Sequence, residues 1–266
     1  MMRLACISDI HGNLTALEAA LADLEAIGGA DHLWILGDLA AMGSRPVECI
    51  RRVKGLVDAV KDDEHKKDTV RVISGNTDRY LVTGTRMTIG KTPENQEELD
   101  AARKGAETGW KVIMWGLNQL EYDDYAFLAK LPGECDLYVP GYGHVIGYHA
   151  VPGDDEGYLL PATSDEEAAD FLLDREGRLG IGGHIHQQFD RTLAGRGWRV
   201  INDGAVGLSF EKPGLAQWAL ITFDGGEAQV DLREVPYDVE AAVADAQAVG
   251  HPAPEWLENL MRNGRK

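Results

Sequence analysis

The chain has 266 residues, of which 44% are apolar and 26% are charged, and its 44 acidic and 26 basic residues give a formal net charge of −18. The apolar content is too high for a mainly disordered chain, and the acidic surface disfavours general nucleic-acid binding because it repels polyanions. No run of about 18 apolar residues predicts a membrane span, and the first residues lack the pattern of a secretory leader. We therefore expect a cytoplasmic protein without membrane contact. Its three cysteines form no CxxC motif and predict no disulfide framework.

The first part of the chain alternates predicted strands and helices. An apolar run at 4–7 predicts a buried strand, and leucines at every third or fourth position over 14–24 predict an amphipathic helix. Apolar runs at 33–36 and 70–73 predict two more strands, with a helix over about 46–60 between them. Strands that alternate with helices in this way predict a parallel sheet with right-handed crossovers.

A helical segment then interrupts the alternation. Apolar side chains at helical spacing over 99–117 predict a long helix, and a short helix is predicted at about 122–130. We expect a helical insert over about 85–131 within a single domain that spans residues 1–266. The insert is compatible with two roles, a cap over a site at the strand ends or a packing layer.

The second half of the chain is richer in predicted strands. Short strands are predicted at 137–139, 145–148 and 179–181, hairpins at 189–201 and 218–235, and closing helices at about 238–249 and 254–262. Alternating strands and helices followed by hairpins predict an α/β protein with two sheets and helices outside them.

Polar side chains that can bind a metal follow five of these predicted strands. They are Asp9, His11, Asp38, Asn76, His149, His184 and His186. In open α/β sheets, ligands bind at the carboxyl ends of the strands, so we expect these side chains to converge. Carboxylate, amide and imidazole donors on one sheet edge predict a metal site. No cysteine belongs to the set, which argues against a structural zinc site.

Phosphoester hydrolysis explains why these residue types occur together. The reaction must stabilise charge on an anionic phosphoryl group and supply hydroxide at neutral pH. Two metal ions about 3.5–4 Å apart accomplish both. Side chains two residues apart in an extended segment point the same way, so His184 and His186 are placed to reach different ions. The sequence therefore favours a dimetal phosphoesterase in which a metal-bridging hydroxide attacks the substrate.

Five motifs in order carry a family resemblance. They are Asp9-Ile-His11-Gly-Asn13, Gly37-Asp38-Leu-Ala-Ala-Met-Gly43, Gly75-Asn76, His149 and Gly183-His-Ile-His186. With them the chain resembles the calcineurin-like metallophosphoesterases. Segments at 75–79, 149–152, 202–207 and 235–239 are similar to a bacterial and archaeal branch of small phosphodiesterase-like proteins. The resemblance implies a four-layer αββα sandwich, in which two mixed β-sheets are flanked by helices.

The resemblance also implies a role for each ligand. One divalent ion would be bound by Asp9, His11 and His186, and a second by Asn76, His149 and His184. Asp38 would bridge the two ions. By resemblance Mn²⁺ is the favoured metal, and Fe, Zn²⁺, Ni²⁺ and Co²⁺ suit the same donors.

The sequence departs from the family pattern at Thr77. Many members have a histidine after the asparagine of the Gly-Asn motif, and it is usually assigned as the general acid. Threonine has no pKa near neutrality and is an inefficient proton donor. The change disfavours protein phosphatase activity and leaves phosphodiester hydrolysis as the favoured function. Two alternatives stay open: a phosphomonoesterase with the same site, and a metal-bound binding or scaffold protein with negligible turnover.

Three further residues lie beside the motifs. Asp78 is a candidate catalytic acid, or it is held by Arg79 or the backbone. Asn13 is a candidate substrate contact and also a candidate cap for the helix that starts at Leu14. Arg79 would bind a phosphate in bidentate fashion or form an ion pair. The expected partner is a small-molecule or nucleotide-like phosphoester, and the sequence is compatible with a homo-oligomer.

Overall fold

The computed structural model describes residues 1–85 and 92–264. Residues 86–91, near the start of the predicted insert, lie outside the described residues. The strands are β1 (Met2–Ile7), β2 (His32–Ile35), β3 (Val70–Val72), β4 (Glu134–Val139), β5 (Gly143–Tyr148), β6 (Leu179–Gly182), β7 (Phe189–Thr192), β8 (Arg199–Asn202), β9 (Leu215–Asp224) and β10 (Glu227–Pro236). The helices are α1 (Leu14–Ala26), α2 (Pro46–Asp58), α3 (Asn76–Thr83), α4 (Gln96–Gln119), α5 (Tyr122–Leu128), α6 (Asp165–Asp170), α7 (Val239–Ala248) and α8 (Pro254–Asn263).

The strands form two mixed five-stranded sheets. The first has the order β10-β9-β1-β2-β3, and the second has the order β4-β5-β6-β8-β7. In the first sheet β1, β2 and β3 are parallel, and the β9–β10 hairpin joins β1 in antiparallel fashion. In the second sheet β5, β6 and β8 are parallel, with antiparallel β4 and β7 at the edges. The predicted strands and both hairpins are confirmed.

The two sheets pack face to face between layers of helices. Side chains alternate along each strand, so Leu4 and Cys6 of β1 contact the second sheet, whereas Ala5 and Ile7 contact the helices of the first sheet. Helix α6 packs on the outer face of the second sheet. The predicted four-layer αββα sandwich is therefore confirmed. Among the described residues, no helix is long and apolar enough to cross a membrane.

Helices α4 and α5, which fall within the predicted insert, lie in the outer layer of the first sheet. Ile113 of α4 and Leu128 of α5 are buried in the same cluster as Ile50 of α2. Arg51 of α2 donates to both oxygens of Asp124 in α5, at 3.0 and 2.8 Å. For the described part of the predicted insert, these contacts favour a packing layer over a cap.

Two short helices, α3 and α6, were not predicted from the sequence. Helix α3 has eight residues, and the side chains of Tyr80 and Leu81 pack it into the core cluster. Helix α6 has the sequence Asp-Glu-Glu-Ala-Ala-Asp and is capped by Ser164, whose side chain accepts from the Glu167 amide. Neither segment is long enough for helical periodicity to stand out.

The close contact between the sheets predicts a stability effect at Gly147 of β5. A Cβ atom at this position would lie 2.7 Å from Cys135 Sγ and 2.8 Å from Trp34 Cε3. We expect Gly147→Ala to lower the free energy of unfolding by about 1–3 kcal/mol because it overpacks the core. The matched control is Gly55→Ala in α2, where the new methyl group meets nothing within 4 Å. It should raise stability by about 0.5–1 kcal/mol. Urea unfolding measures both, and equal effects would contradict this account.

Candidate metal centre

The first group of predicted ligands lies after β1 and β6. His186 Nε2 is 3.1 Å from Asp9 Oδ1, and His11 Nε2 is 3.5 Å from the same oxygen. The Nε2 atoms of the two histidines are 3.1 Å apart. All three side chains are buried. They bring two nitrogens and one carboxylate oxygen close enough to share one metal ion.

The second group joins ends of strands from both sheets. Asn76 Oδ1 is 3.0 Å from His149 Nε2 and 3.2 Å from His184 Nδ1. Asp38 Oδ2 lies 3.5 Å from His149 Nε2 and 3.5 Å from His11 Nε2. The Asp38 carboxylate therefore lies between the two groups, where a bridging ligand would be required. The structure thus brings together all seven residues that the sequence singled out.

The backbone orients three of the four imidazole rings. Their Nδ1 atoms face the carbonyl oxygens of Ala41, Leu36 and Leu208, at 3.1, 2.8 and 2.5 Å for His11, His149 and His186 respectively. A carbonyl oxygen accepts only, so each Nδ1 carries a hydrogen, and a ring in its neutral form presents the Nε2 lone pair to the site. His184 is turned the other way, with Nδ1 towards the site. In the described part of the chain its buried Nε2 has no hydrogen-bond partner.

This geometry fits a metal ion. The lone pairs of His11 and His186 face one another beside Asp9 Oδ1. That oxygen is buried and finds no hydrogen-bond partner within residues 1–85 and 92–264. Three acceptors that converge in a buried place need a cation or a proton to satisfy them. Nitrogen and oxygen donors of these types suit divalent transition metals.

In the metal-free protein, protons fill part of this role. Burial lowers the pKa of His149, but the adjacent Asp38 carboxylate outweighs burial and raises that pKa to about 10. Burial also lowers the pKa of His184, to about 4, and the charge of His149 adds to this effect. Burial raises the pKa of Asp38, but His149 and His11 bring it well below its usual range. A metal ion must therefore compete with a proton for the Nε2 atom of His149.

The backbone at the site is strained. Six non-glycine residues have positive φ in the described part of the chain, and five of them are predicted ligands. These five are Asp9, His11, Asp38, His184 and His186, with φ values of 52°, 48°, 56°, 69° and 56°. Each such residue costs on the order of 1–3 kcal/mol and persists only where its surroundings enforce it. These strained residues lie in the loops whose side chains converge at the site.

Asp78 holds two of these loops together. Its carboxylate accepts from the amides of Asp38, Leu39 and Gly75, at 2.8, 3.0 and 3.0 Å. Burial, and next the charge of Asp38, raise its pKa to about 7. The loops approach so closely that a Cβ on Gly75 would lie 2.1 Å from Asp38 Oδ1. This geometry favours a positioning role for Asp78 over the catalytic role that the sequence allowed.

Asn13 and Arg79 are also engaged by the protein itself. Asn13 Oδ1 accepts from the Ala16 amide at 3.1 Å and caps α1, while its Nδ2 donates to Gly207 O at 2.9 Å. The Arg79 guanidinium donates to both oxygens of Asp155, at 2.7 Å each. Capping and ion pairing are the alternatives that the sequence offered beside substrate binding, and this geometry favours them.

Thr77 has no group that titrates near neutrality. Its amide donates to Asp38 Oδ1 at 2.9 Å, which orients the carboxylate. Its hydroxyl is buried and has no hydrogen-bond partner among the residues that the structure describes. The position that holds a histidine in many family members is therefore occupied here by a residue of the first turn of α3 whose hydroxyl is an inefficient proton donor.

A cleft of about 460 Å³ lies beside His149. Apolar side chains of α3, α5 and nearby loops form one part of its wall, among them Val82, Leu128, Leu131 and Val151. Its ionisable lining outside the metal ligands comprises three carboxylates and one guanidinium, from Glu134, Asp154, Asp155 and Arg79. The cleft can accommodate an organic group next to the site, and its lining carries net negative charge.

Sequence reasoning missed several residues around the ligands. The Ser8 hydroxyl lies 2.6 Å from Asp9 Oδ2 and 2.6 Å from Asp203 Oδ1. Phe210 stacks on the His186 ring, with centroids 4.2 Å apart. Asp203 directly follows β8, so the same strand-end pattern that identified the ligands could have found it. No sequence signal pointed to Phe210, since only folding brings it to the site.

Comparisons with known proteins agree with this geometry. The family model of calcineurin-like phosphoesterases matches residues 2–188. Uncharacterized protein MJ0912 of Methanocaldococcus jannaschii is 28% identical over 277 residues, covering 98% of each chain. A symmetrical bis(5'-nucleosyl)-tetraphosphatase of Actinobacillus pleuropneumoniae is 30% identical over 130 residues, which cover 48% of this chain and 43% of that protein.

Two solved structures share the whole fold. A metallophosphoesterase from Sphaerobacter thermophilus has a TM-score of 0.70 at 24% identity and covers 99% of this chain and 100% of its own. Hypothetical protein PH1004 from Pyrococcus horikoshii has a TM-score of 0.74 at 20% identity, with full coverage of both chains (100% each). The family match, the four-layer fold and the cluster of buried Asp and His side chains that could hold a metal ion agree, and this chain belongs to the calcineurin-like phosphoesterase family.

Proposed function

We propose that the protein is a phosphodiesterase that depends on two divalent metal ions. The observation that carries the proposal is the buried convergence of Asp9 Oδ1 with the lone pairs of His11 and His186. When bound, the ions supply positive charge for a phosphate and acidify a water molecule near neutral pH. We assign Asp9, His11 and His186 to the first ion and Asn76, His149 and His184 to the second. Asp38 is assigned as the bridge, and Mn²⁺ is the favoured metal.

The surrounding residues keep this arrangement rigid. Backbone carbonyls orient three imidazoles, and Asp78 binds the amides of the Asp38 and Gly75 loops. Partners of this kind typically contribute about 10–100-fold to metal affinity or activity. The ligand geometry is therefore preformed before a metal ion or substrate binds.

Two features favour diesters over monoesters. Thr77 offers no proton to a poor leaving group, so esters whose leaving group departs as a stable anion are favoured. The cleft lining also carries more negative than positive charge. It repels the dianion of a monoester more than the single charge of a diester. The partial similarity to a bis(5'-nucleosyl)-tetraphosphatase supports a nucleotide-like phosphoester as the substrate class.

We place the protein in the cytoplasm, since all three cysteines are buried and unpaired.

The first prediction concerns the reaction itself. Metal-stripped protein should hydrolyse bis-p-nitrophenyl phosphate only after Mn²⁺ is added, and faster than it hydrolyses p-nitrophenyl phosphate. Asp38→Asn should lower kcat/KM at least about 100-fold, because losing even an outer partner of a ligand costs about 10–100-fold. Asp62→Asn, at an exposed position, is the matched control. Stoichiometric metal binding without cleavage of either ester would refute the enzyme and favour the scaffold alternative.

The second prediction concerns the buried hydroxyl of Thr77. Thr77→Val should leave kcat/KM for the diester within about threefold, because we assign the hydroxyl no proton transfer. It should also raise the free energy of unfolding by about 1 kcal/mol, since an unpaired buried polar group costs about 1–3 kcal/mol. Steady-state kinetics and urea unfolding measure the two effects. A loss above about 100-fold in kcat/KM, with normal metal binding, would instead make Thr77 a participant in the reaction.

The third prediction concerns protons released by metal binding. At pH 8 the metal-free protein carries a proton on His149, because the pKa of this group is raised to about 10. A metal ion takes the same nitrogen, so binding should release about one proton from this residue. Calorimetric titration with Mn²⁺ in two buffers of different ionisation enthalpy measures the number released. His149→Gln should release about one proton fewer, and an identical count in both proteins would disprove the assignment.

A further inference from the structure

A serine hydroxyl links two buried carboxylates next to the first group of ligands. Ser8 Oγ lies 2.6 Å from Asp9 Oδ2 and 2.6 Å from Asp203 Oδ1. All three residues have no exposed surface. Both distances are those of short hydrogen bonds to oxygen. Asp203 follows β8, so it approaches the site from the same edge of the second sheet as the histidines after β6.

Counting hydrogens shows that one of these groups must carry an additional proton. A serine hydroxyl has a single hydrogen, whereas the two short oxygen–oxygen contacts each require one. If both carboxyl groups were ionised, one of the two contacts would place the serine oxygen against a carboxylate oxygen with no hydrogen between them. The second hydrogen therefore belongs to a carboxyl group.

The surroundings of the two carboxyl groups distinguish them. Asp9 Oδ2 also accepts from the His184 amide at 2.8 Å, and its Oδ1 faces the imidazoles of the first group. Asp203 has no ion pair among residues 1–85 and 92–264, and its Oδ2 has no hydrogen-bond partner there. Burial raises the pKa of Asp203 well above its usual value, and the charge of Asp9 adds to that rise. An ionised Asp203 would leave one buried, charged oxygen without a hydrogen-bond partner, which is unfavourable in free energy.

We propose that Asp203 is a positioning residue, held as a neutral acid that donates to Ser8 while Ser8 donates to Asp9. The Asp9 carboxylate then keeps Oδ1 free for the first metal ion. This inference rests on the proposed function, since it takes Asp9 as a metal ligand.

The packing around the three residues supports a rigid arrangement. A Cβ at Gly183 would lie 2.2 Å from Ser8 Oγ and 2.4 Å from Asp9 Oδ2. The side chain of Asn202 donates to Gly183 O at 2.5 Å and ties the β8 loop to the histidine loop. The backbone thus encloses the hydroxyl closely, and a further oxygen, Gly204 O, lies farther away at 3.3 Å.

Asparagine and leucine at position 203 separate the neutral-acid role from alternatives. Asp203→Asn keeps a neutral donor towards Ser8 Oγ, whereas Asp203→Leu removes it with the same branching and the same number of side-chain heavy atoms. We expect Asp203→Asn to keep Mn²⁺ affinity within about threefold. Asp203→Leu and Ser8→Ala should each lose about 10–100-fold, as for other partners of metal ligands. Competition with a chelating dye measures the affinity, and circular dichroism confirms folding. If Asp203→Leu does not fold, Ser8→Ala tests the same link.

Infrared spectroscopy of metal-free protein provides a test that is independent of the metal. Wild-type protein at pH 8 should show the carbonyl band of a buried protonated carboxylic acid. Asp203→Asn should remove this band, and Asp78→Asn, at the other carboxyl group with a raised pKa, should leave it.

The outcomes are distinguishable. Equal loss of affinity in Asp203→Asn and Asp203→Leu would overturn the neutral-acid role, and so would the absence of the band from wild-type protein. Unchanged affinity in Ser8→Ala would overturn the link to Asp9. Failure of wild-type protein to bind Mn²⁺, with the band present, would refute the proposed function and leave Asp203 as a neutral acid without a metal to serve.

Discussion

The structure depends on holding several hydrogen-bond acceptor atoms close together in a buried place. Asp9, His11 and His186 direct three lone-pair atoms at one another, and Asp38 adds a fourth beside them. Such a cluster repels itself unless a cation or proton lies within it. Folding must therefore supply the restraint that the ligands lack, and the loops at the strand ends provide it through carbonyl partners and amide donors.

Both sheets are needed for this restraint. Asp9 and Asp38 follow strands of the first sheet, whereas His149 and His186 follow strands of the second. Their separation is set by the inter-sheet core, in which Trp34 packs against the second sheet. The favourable burial of that core offsets the strained backbone at the proposed ligands, where each strained residue costs on the order of 1–3 kcal/mol. Stability and site geometry are thus coupled through one apolar layer.

Acidic groups around the centre have different tasks because their surroundings differ. Asp38 is beside imidazoles and stays ionised. Asp78 accepts three amide hydrogens and joins loops. We propose that Asp203 is neutral and acts as a donor. With Thr77 in place of a titratable residue, none of these groups is an exposed proton donor to a leaving group, which is consistent with the proposed preference for easily cleaved diesters.

Much of the site could be predicted from the sequence, because strand ends and polar residues after them are local features. The order of Asp9, Asp38 and Asn76 along alternating strands already implied one sheet edge. The roles of Asp78 and Asp203 could not be predicted in this way. Asp203 meets Ser8 across 195 positions of chain, and Asp78 meets the Asp38 amide across 40. Local sequence determines which residues end a strand, whereas only tertiary packing decides which buried acceptor finds a donor, because that depends on neighbours distant in the chain.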